Sequence, residues 1–339
     1  MTTRVSVLMS VHNNGPYLRK AVESILNQTL RDFEFIIIDD GSTDETPHIL
    51  DSYDDPRIIR LHNETPQRLA AALNQGLKVA RSPYIARMDG DDIALPERLE
   101  KQAAFLDAHP DHGVVGTQAR IIDLQDRDQG PFLDYPRPSS LVAWHILTGN
   151  PLIHPSTFMR TDVLRSVGGY DPAYPVAQDQ ALWTRLLFVT RLANLPDTLL
   201  LYRRHPDAAS QVHNHHQRDI LYTVRTRAAS RLLGRDVDPQ ALRRIRVSSA
   251  RGVERFTRAD AEASIDLLLH LFEAMDPFFL SDEKSIVRQE MISQIARLSW
   301  RVPPGLLNPE QARRTYWQQI APAWLRQIRH WKDRRHATR

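Results

Sequence analysis

The chain has 339 residues, of which 42% are apolar and 25% are charged, enough for one large domain or two smaller ones. Its net charge of +3 is too small to favour nucleic acid as a partner. It contains no cysteine, which excludes disulfides and thiolate zinc sites. The sequence shows no signal peptide and no window approaching the ~20 apolar residues that cross a bilayer. We therefore expect a cytoplasmic protein.

The first 110 residues alternate between strand and helix patterns. Apolar and β-branched runs predict strands at 4–11, 33–38, 57–61 and 83–88. Apolar residues at helical spacing, with capping residues and proline before them, predict helices over about 16–28, after 44, over 67–80 and over 96–109. This alternation predicts an α/β fold with a mostly parallel sheet flanked by helices.

Polar turns follow three of the four predicted strands. His12 and Asn13 follow the first, Asp39 and Asp40 begin the turn after the second, and residues 89–92 follow the fourth. In open parallel sheets, ligands bind outside the carboxyl ends of the strands. We therefore expect the three turns to form one ligand site.

The turn at 89–92 (DGDD) places three carboxylates within four positions. Carboxylates this close repel one another unless a cation lies among them. Oxygen ligands suit Mg²⁺ or Mn²⁺, which often reach a protein through one or two carboxylates plus substrate phosphates. The alternative is an acidic surface turn. Because the sequence has neither a G-x-G-x-x-G nor a P-loop motif, a dehydrogenase or a P-loop ATPase fits poorly.

The second half of the chain divides near residue 210. Before it lie a strand pattern at 114–124, a polar loop at 125–140 and an extended run at 192–202, whereas helical spacing dominates afterwards. We expect a domain of residues 1–210. A helical appendage of residues 211–339 would follow.

The last helical segment, 309–332, is basic and carries Trp317, Trp324 and Trp331. Such a helix can lie on an anionic membrane surface, which would make the protein peripheral at the inner face of the membrane. Equally, it can pack on the domain and leave a solvated basic tail. Both alternatives remain open on these residues.

Four motifs, taken in order, resemble the family 2 glycosyltransferases of the GT-A fold. They are residues 5–13 (VSVLMSVHN), 39–44 (DDGSTD), 89–92 (DGDD) and 178–183 (QDQALW). The resemblance covers about residues 4–205. It implies that the domain of residues 1–210 has a nucleotide-binding half at about 1–110 and an acceptor half at about 111–210. The first motif departs from the usual pattern at Ser10 and His12, where proline and tyrosine are common, and Gln178 replaces the usual glutamate. Enzymes of this family use nucleotide-sugar donors, invert the sugar's configuration and often serve bacterial surface-polysaccharide synthesis.

The resemblance implies a set of nucleotide-binding residues. These are Val11, His12, Asn13, Asp40, Arg68 and Asp89. Asp40 would hydrogen-bond the base, most often uracil, Arg68 would reach the base or diphosphate, and Asp89 would approach the ribose. As alternatives, Arg68 is a surface residue and His12 simply ends a strand.

The resemblance also implies a metal site and a base. Asp91 would bind Mn²⁺ or Mg²⁺, and His205 would complete the metal site unless it is an exposed loop residue. Asp92 would stand behind these ligands. Asp179 would be the general base, with a helix N-cap as its structural alternative.

Two further residues are assigned to the acceptor side. His154 would shape the acceptor pocket, and Trp183 would stack on a sugar ring or belong to the core. The predicted function is transfer of a sugar from a nucleotide-diphosphate donor, most often a UDP-sugar, to a saccharide or glycolipid acceptor. The alternatives are a sugar nucleotidyltransferase and a non-catalytic nucleotide-sugar-binding protein.

Overall fold

The computed structural model describes residues 3–204, 214–247 and 256–300. The strands in these residues are β1 (Val5–Val11), β2 (Phe33–Asp40), β3 (Ile58–Asn63), β4 (Tyr84–Asp89), β5 (Ile93–Ala94), β6 (His112–Ile122), β7 (Asp128–Pro131), β8 (Phe158–Arg160) and β9 (Arg191–Arg203). The helices are α1 (Gly15–Leu26), α2 (Thr46–Asp51), α3 (Leu69–Val79), α4 (Arg98–Ala108), α5 (Ser139–Thr148), α6 (Thr161–Ser166), α7 (Gln178–Leu186), α8 (Asn214–Leu233), α9 (Pro239–Val247), α10 (Arg258–Ala274) and α11 (Lys284–Trp300).

All the strands of the described residues belong to one sheet. Their order is β3-β2-β1-β4-β8-β6-β9-β5, and β7 pairs with β6 beside this path. The first four strands are parallel, as the strand–helix alternation predicts. Strand β8 runs antiparallel to both of its neighbours. The polar segment 125–140, predicted as a loop, contains β7, which the sequence pattern misses because β7 is short, polar and largely exposed.

Helices cover both faces of the parallel strands. On one face, α1 and α4 contribute apolar side chains to a cluster with Val7, Phe35 and Ile37. On the other face, α3 packs closely through Gly76, where an added Cβ would lie 3.0 Å from Ile38 Cδ1 and 3.2 Å from Leu8 Cδ2. Alternate residues of a strand point to opposite faces, and strands buried on both faces read as continuous apolar runs.

The chain forms two compact units. One contains Met1–Pro239 and Leu271–Gln289, and the other contains Gln240–His270 and Glu290–Arg339. Helix α8 therefore belongs to the same unit as the sheet, and the domain boundary expected near residue 210 stays a prediction. The basic segment 309–332 lies outside the described residues. Among the helices that are described, none is long and apolar enough to span a membrane.

A buried carboxylate joins β1, β2 and the end of α3. Glu34 is 3% exposed and accepts hydrogen bonds from Ser6 Oγ at 2.6 Å and from Arg81 N at 2.7 Å. Arg81 Nη2 also donates to it at 2.9 Å. Burial raises the pKa of Glu34, but the hydrogen bonds from Ser6 and Arg81 outweigh this effect and leave the pKa below its ordinary value of 4.5.

Replacing Glu34 with Gln is expected to lower the free energy of unfolding at pH 7 by about 1–2 kcal/mol, because charged hydrogen bonds become neutral ones. A lowered pKa means that the unfolded chain binds this proton more readily, so the stabilisation is lost as pH falls below about 4.5. Urea unfolding at pH 7 and pH 3.5 measures both effects, with the exposed Glu64→Gln as control. An equal difference between wild type and Glu34→Gln at both pH values would contradict this account.

Candidate active site

The three polar turns meet at the carboxyl edge of the sheet, as expected from the sequence. Val11 at the end of β1 pairs with Asp39 of β2. Ser10 pairs with Asp89 at the end of β4. The parallel register therefore brings the ends of these three strands side by side.

The turn after β1 is tied to the turn after β2. Exposed His12 is hydrogen-bonded through Nδ1 to the carbonyl oxygen of Asp40 at 2.9 Å. Asn13 Oδ1 accepts a hydrogen bond from Thr43 N at 2.8 Å, and Asn13 N donates to Ser42 Oγ at 3.0 Å. Asn13 has a φ of 55°, a left-handed conformation that asparagine tolerates better than most residues. These contacts hold the exposed side chains of His12 and Asn13 at the edge.

Gly90 allows the turn after β4 to pack against the turn after β1. A Cβ added at Gly90 would lie 2.6 Å from Val11 Cγ1, which is too close for any side chain. Glycine between Asp89 and Asp91 is thus a packing requirement. The side chain of Val11 is buried in this contact, so it lines the protein interior, whereas His12 and Asn13 are exposed.

Asp40 organises the segment that leads into α3, a role that the sequence pattern does not reveal. The side chain is 4% exposed. Its Oδ1 accepts hydrogen bonds from Asn63 Nδ2 at 2.7 Å and from Gln67 N at 2.8 Å, and its Oδ2 accepts from Arg68 N at 2.9 Å. A carboxylate offers about four acceptor positions. Donors from the described part of the chain occupy three of them, and one position on Oδ2 has no donor from these residues.

Arg68 stands at the start of α3 with an exposed side chain. Its φ of 73° is strained for a residue with a long side chain. The hydrogen bond from Arg68 N to Asp40 holds this conformation. Arg68 therefore lies, with an exposed side chain, beside Asp40 at the end of β2, and its contact with a ligand stays a prediction.

The carboxylates of Asp89, Asp91 and Asp92 form a cluster. One oxygen from each lies within 4.8 Å of the others. Asp92 is 1% exposed; its Oδ1 accepts from Arg203 N at 2.8 Å, while its buried Oδ2 meets no hydrogen-bond donor among the described residues. Burial, together with the charges of Asp91 and Asp89, raises the pKa of Asp92 well above its ordinary value.

This cluster fits a divalent cation. Three hard oxygen donors stand close enough to share an ion, and the unsatisfied Asp92 oxygen is costly unless a positive group approaches it. Asp92 is the most buried of the three, in keeping with its predicted place behind Asp89 and Asp91. His205, the other predicted ligand, lies outside the described residues.

Arg87 is a buried cation in the candidate site. No role was assigned to it from the sequence. Its guanidinium is 1% exposed and forms an ion pair with Asp89. Its positive charge also lowers the pKa values of Asp179 and His154. The available signal was a charged residue inside the otherwise apolar strand Tyr84–Asp89, where an unpaired arginine is rare.

His154 and Tyr170 form a neutral pair beside Arg87. His154 Nε2 and the Tyr170 hydroxyl are hydrogen-bonded at 2.9 Å, and both residues are buried. Burial and the Arg87 charge hold the pKa of His154 well below its ordinary value, so its imidazole is uncharged. Asn74 fixes Tyr170 by accepting from its N–H at 2.9 Å and donating to its carbonyl at 2.6 Å.

Trp183 belongs to the core. It is 0% exposed, and its ring meets that of His154 edge to face with centroids 6.0 Å apart. The proposed stacking on a sugar ring is therefore wrong for this conformation of the protein, because no face of the indole is open. Helical spacing alone could not separate these alternatives, since both core and pocket residues recur on one helix face.

Asp179 lies in the first turn of α7, directly after Ala177 and Gln178. The N-cap is Ala177, with a φ of 56° and no side-chain capping bond within the described residues, so Asp179 is not an N-cap. Burial raises the pKa of Asp179, while backbone hydrogen bonds and the charges of Arg225 and Arg87 lower it, and the net shift is upwards from 3.8. A carboxylate with a raised pKa in a partly buried site suits proton transfer.

Electrostatic interactions connect Asp179 with the acidic cluster. Burial raises the pKa of the Tyr170 phenol, the Arg87 charge lowers it, and the negative charges of Asp179 and Asp89 raise it further. Arg87 and Tyr170 therefore interact electrostatically both with the candidate base and with Asp89 of the acidic cluster.

Sequence comparisons identify the family. Residues 6–164 match the family model described as glycosyl transferase family 2. The O-antigen biosynthesis glycosyltransferase WbnJ of Escherichia coli is 35% identical over 210 residues, which is 59% of this chain and 80% of WbnJ. The amylovoran biosynthesis glycosyltransferase AmsE of Erwinia amylovora is 30% identical over 217 residues, which is 61% of this chain and 78% of AmsE.

Solved structures agree on the fold. TarS 1–349 of S. aureus in complex with UDP-GlcNAc gives a TM-score of 0.59 at 18% identity, covering 87% of this chain and 89% of that one. The mannosyltransferase PcManGT of Pyrobaculum calidifontis, with GDP-Man and Mn²⁺, gives 0.55 at 16% identity, covering 94% and 88%. These likenesses confirm the α/β GT-A fold. The family model and the sequence relatives show that the chain belongs to glycosyl transferase family 2 and is a glycosyltransferase.

Proposed function

We propose that the enzyme transfers a sugar from a UDP-sugar donor to a hydroxyl of a saccharide or glycolipid acceptor, with inversion at the anomeric carbon. The observation that carries this proposal is that Arg87 and Tyr170 interact electrostatically both with Asp179 and with Asp89 of the acidic cluster. A role in surface-polysaccharide synthesis is supported by relatives named for O-antigen and amylovoran biosynthesis. UDP as the donor nucleotide is supported by the fold relative solved with UDP-GlcNAc.

The donor would lie along the carboxyl edge of the sheet. Its base would meet His12, Asn13 and the remaining acceptor position of Asp40. Arg68 would reach the base or diphosphate from the start of α3, and Asp89 would approach the ribose. The exposure of His12, Asn13 and Arg68 at one edge supports this arrangement.

Asp91 would hold the divalent cation, with Asp92 beside or behind it. A bound Mn²⁺ or Mg²⁺ supplies positive charge that balances the donor diphosphate. The buried Asp92 oxygen without a donor among the described residues supports a cation at this position. His205 as a further ligand stays a prediction from the sequence.

Asp179 would act as the general base. Its carboxylate takes the proton from the acceptor hydroxyl, whose oxygen then bonds to the anomeric carbon. The bond between that carbon and the diphosphate oxygen breaks at the opposite face, and the electron pair leaves with the diphosphate. One displacement of this kind inverts the configuration. The role requires the ionised form of Asp179, which the positive charges of Arg225 and Arg87 favour.

Two neutral groups, His154 and Tyr170, would lie beside the acceptor. His154 is uncharged and hydrogen-bonded to Tyr170, so it would shape the acceptor pocket rather than transfer a proton. Membrane contact through the segment 309–332, and with it a peripheral location, stays a prediction from the sequence.

Nucleotide binding tests the proposed function without knowledge of the acceptor. Thermal unfolding is measured with UDP, GDP, ADP, UTP and a panel of UDP- and GDP-sugars, each with Mn²⁺ and with EDTA. UDP and at least one UDP-sugar are expected to stabilise the protein only with Mn²⁺, by about 2.7 kcal/mol at a hundredfold excess over Kd. Absence of any nucleotide-dependent shift would contradict the proposal. A response confined to UTP, with exchange of pyrophosphate, would favour a nucleotidyltransferase.

A further inference from the structure

Arg225 is a buried arginine on α8, well beyond the residues that match the family model. It lies in the same compact unit as the sheet and α7, and 1% of its surface is exposed. A guanidinium is rarely buried to this extent unless its charge is balanced and its N–H groups are bonded. The hydrogen-bond partners and nearby charges of Arg225 therefore indicate its role.

Arg225 joins the two segments that carry the acceptor side of the site. Its Nη2 donates to the carbonyl oxygen of Gly149, which precedes the loop of His154, and to Gln180 Oε1 at 3.2 Å. Gln180, itself 1% exposed, donates through Nε2 to the carbonyl of Ile146 at 2.7 Å. Helix α8 is thus bonded both to the first turn of α7 and to the end of α5.

Gln180 directly follows Asp179, so this bond fixes the turn that carries the candidate base. The charged and titratable groups that act on Asp179 come from three elements: Arg87 of β4, Tyr170 of the segment before α7 and Arg225 of α8. Burial raises the pKa of Asp179, and the positive charges of Arg225 and Arg87 lower it, with Arg225 having the larger effect.

We propose that Arg225 is a positioning residue for sugar transfer, which fixes the first turn of α7 and balances the negative charge of Asp179. The inference rests on the proposed role of Asp179 as the base. Through Arg225, helix α8 contributes to the active site, although α8 follows the residues matched by the family model.

Three variants separate the charge of Arg225 from its hydrogen bonds. Arg225→Gln keeps an amide donor for the Gly149 carbonyl but removes the charge, and Arg225→Lys keeps the charge. Arg227→Gln is the matched control, because Arg227 is exposed on the same helix and donates to the Tyr174 hydroxyl. The measurement is the titration of the Asp179 carboxyl carbon by NMR in the full chain labelled at aspartate. The Asp179 signal is identified as the one missing from the spectrum of Asp179→Asn. The titration requires neither donor nor acceptor.

In Arg225→Gln the titration midpoint of Asp179 is expected to rise by about one pH unit, as when a single nearby opposite charge is lost. In Arg225→Lys, which keeps the charge, the midpoint should stay close to the wild-type value. In Arg227→Gln it should equal the wild-type value. A merely structural role would not produce this pattern. An unchanged midpoint in folded Arg225→Gln would overturn the inference, as would failure of both Arg225 variants to fold.

The inference and the proposed function fail in different ways. Full transfer activity in Asp179→Asn would remove the base assignment, whatever Arg225 does to the titration. An inactive Asp179→Asn combined with an unchanged midpoint in Arg225→Gln would overturn the role of Arg225 alone.

Discussion

Replacement of Asp179 by Asn is expected to lower the rate of sugar transfer by about 10²–10⁴-fold, the usual contribution of a general base. Asparagine has nearly the same shape and keeps the first turn of α7, but it cannot accept the proton of the acceptor hydroxyl. Donor binding should be unchanged, because the donor edge is formed by the ends of β1, β2 and β4. The loss should therefore appear in kcat and leave the donor Kd as in the wild type.

The pH profile gives a second readout for Asp179. A base is active when deprotonated, so transfer by the wild type should fall as pH drops through the raised pKa of Asp179. This acid limb should disappear from the residual activity of Asp179→Asn. Asp162→Asn is the matched control, since Asp162 is an exposed aspartate in the first turn of α6. Wild-type transfer by Asp179→Asn would contradict the assignment.

Replacement of Asp91 by Ala is expected to weaken Mn²⁺-dependent binding of UDP by roughly a hundredfold. Loss of a partner outside the ligand shell already costs about 10–100-fold in metal affinity, and Asp91 is the predicted ligand itself. Calorimetric titration of UDP with Mn²⁺ and with EDTA separates the metal-dependent part of binding. Asp128→Ala is the control, because Asp128 is an exposed aspartate paired with Arg120.

A folding defect cannot account for that loss if the metal-free protein keeps its stability. The charge of Asp91 raises the pKa values of both Asp92 and Asp89, so the three carboxylates repel one another without a cation. Removing Asp91 relieves this repulsion, and we expect the metal-free variant to unfold no more readily than the wild type. UDP binding that is equally strong in Asp91→Ala and in the wild type would rule out Asp91 as the ligand.

The position of the site was predictable because the parallel direction of the strands follows from local patterns. Continuous apolar runs separated by helical spacing predict parallel strands, and parallel strands place their carboxyl ends at one edge. The sequence therefore predicted that Asp40 and residues 89–92 lie near each other. The register of β1 with β2 and β4 confirms this.

The partners of individual side chains were not predictable, because they come from distant parts of the chain. Asp40 is held by donors from the last residue of β3 and from the segment after it, which gives it a structural role in place of a purely ligand-binding one. Asp92 is bonded to Arg203 on β9, 111 positions away. Trp183 lies in the core rather than in a pocket. In each case the decisive contacts are tertiary, and no local sequence pattern shows them.

Two carboxylates are proposed to have separate roles, Asp91 at the sheet edge in metal-dependent donor binding and Asp179 on α7 in proton transfer. A single calorimetric comparison separates these roles: the Kd of UDP with Mn²⁺ for the wild type, Asp91→Ala and Asp179→Asn. We expect Asp179→Asn to bind like the wild type and Asp91→Ala to lose the metal-dependent affinity. Wild-type affinity in Asp91→Ala, or an equal loss in both variants, would contradict this separation of roles.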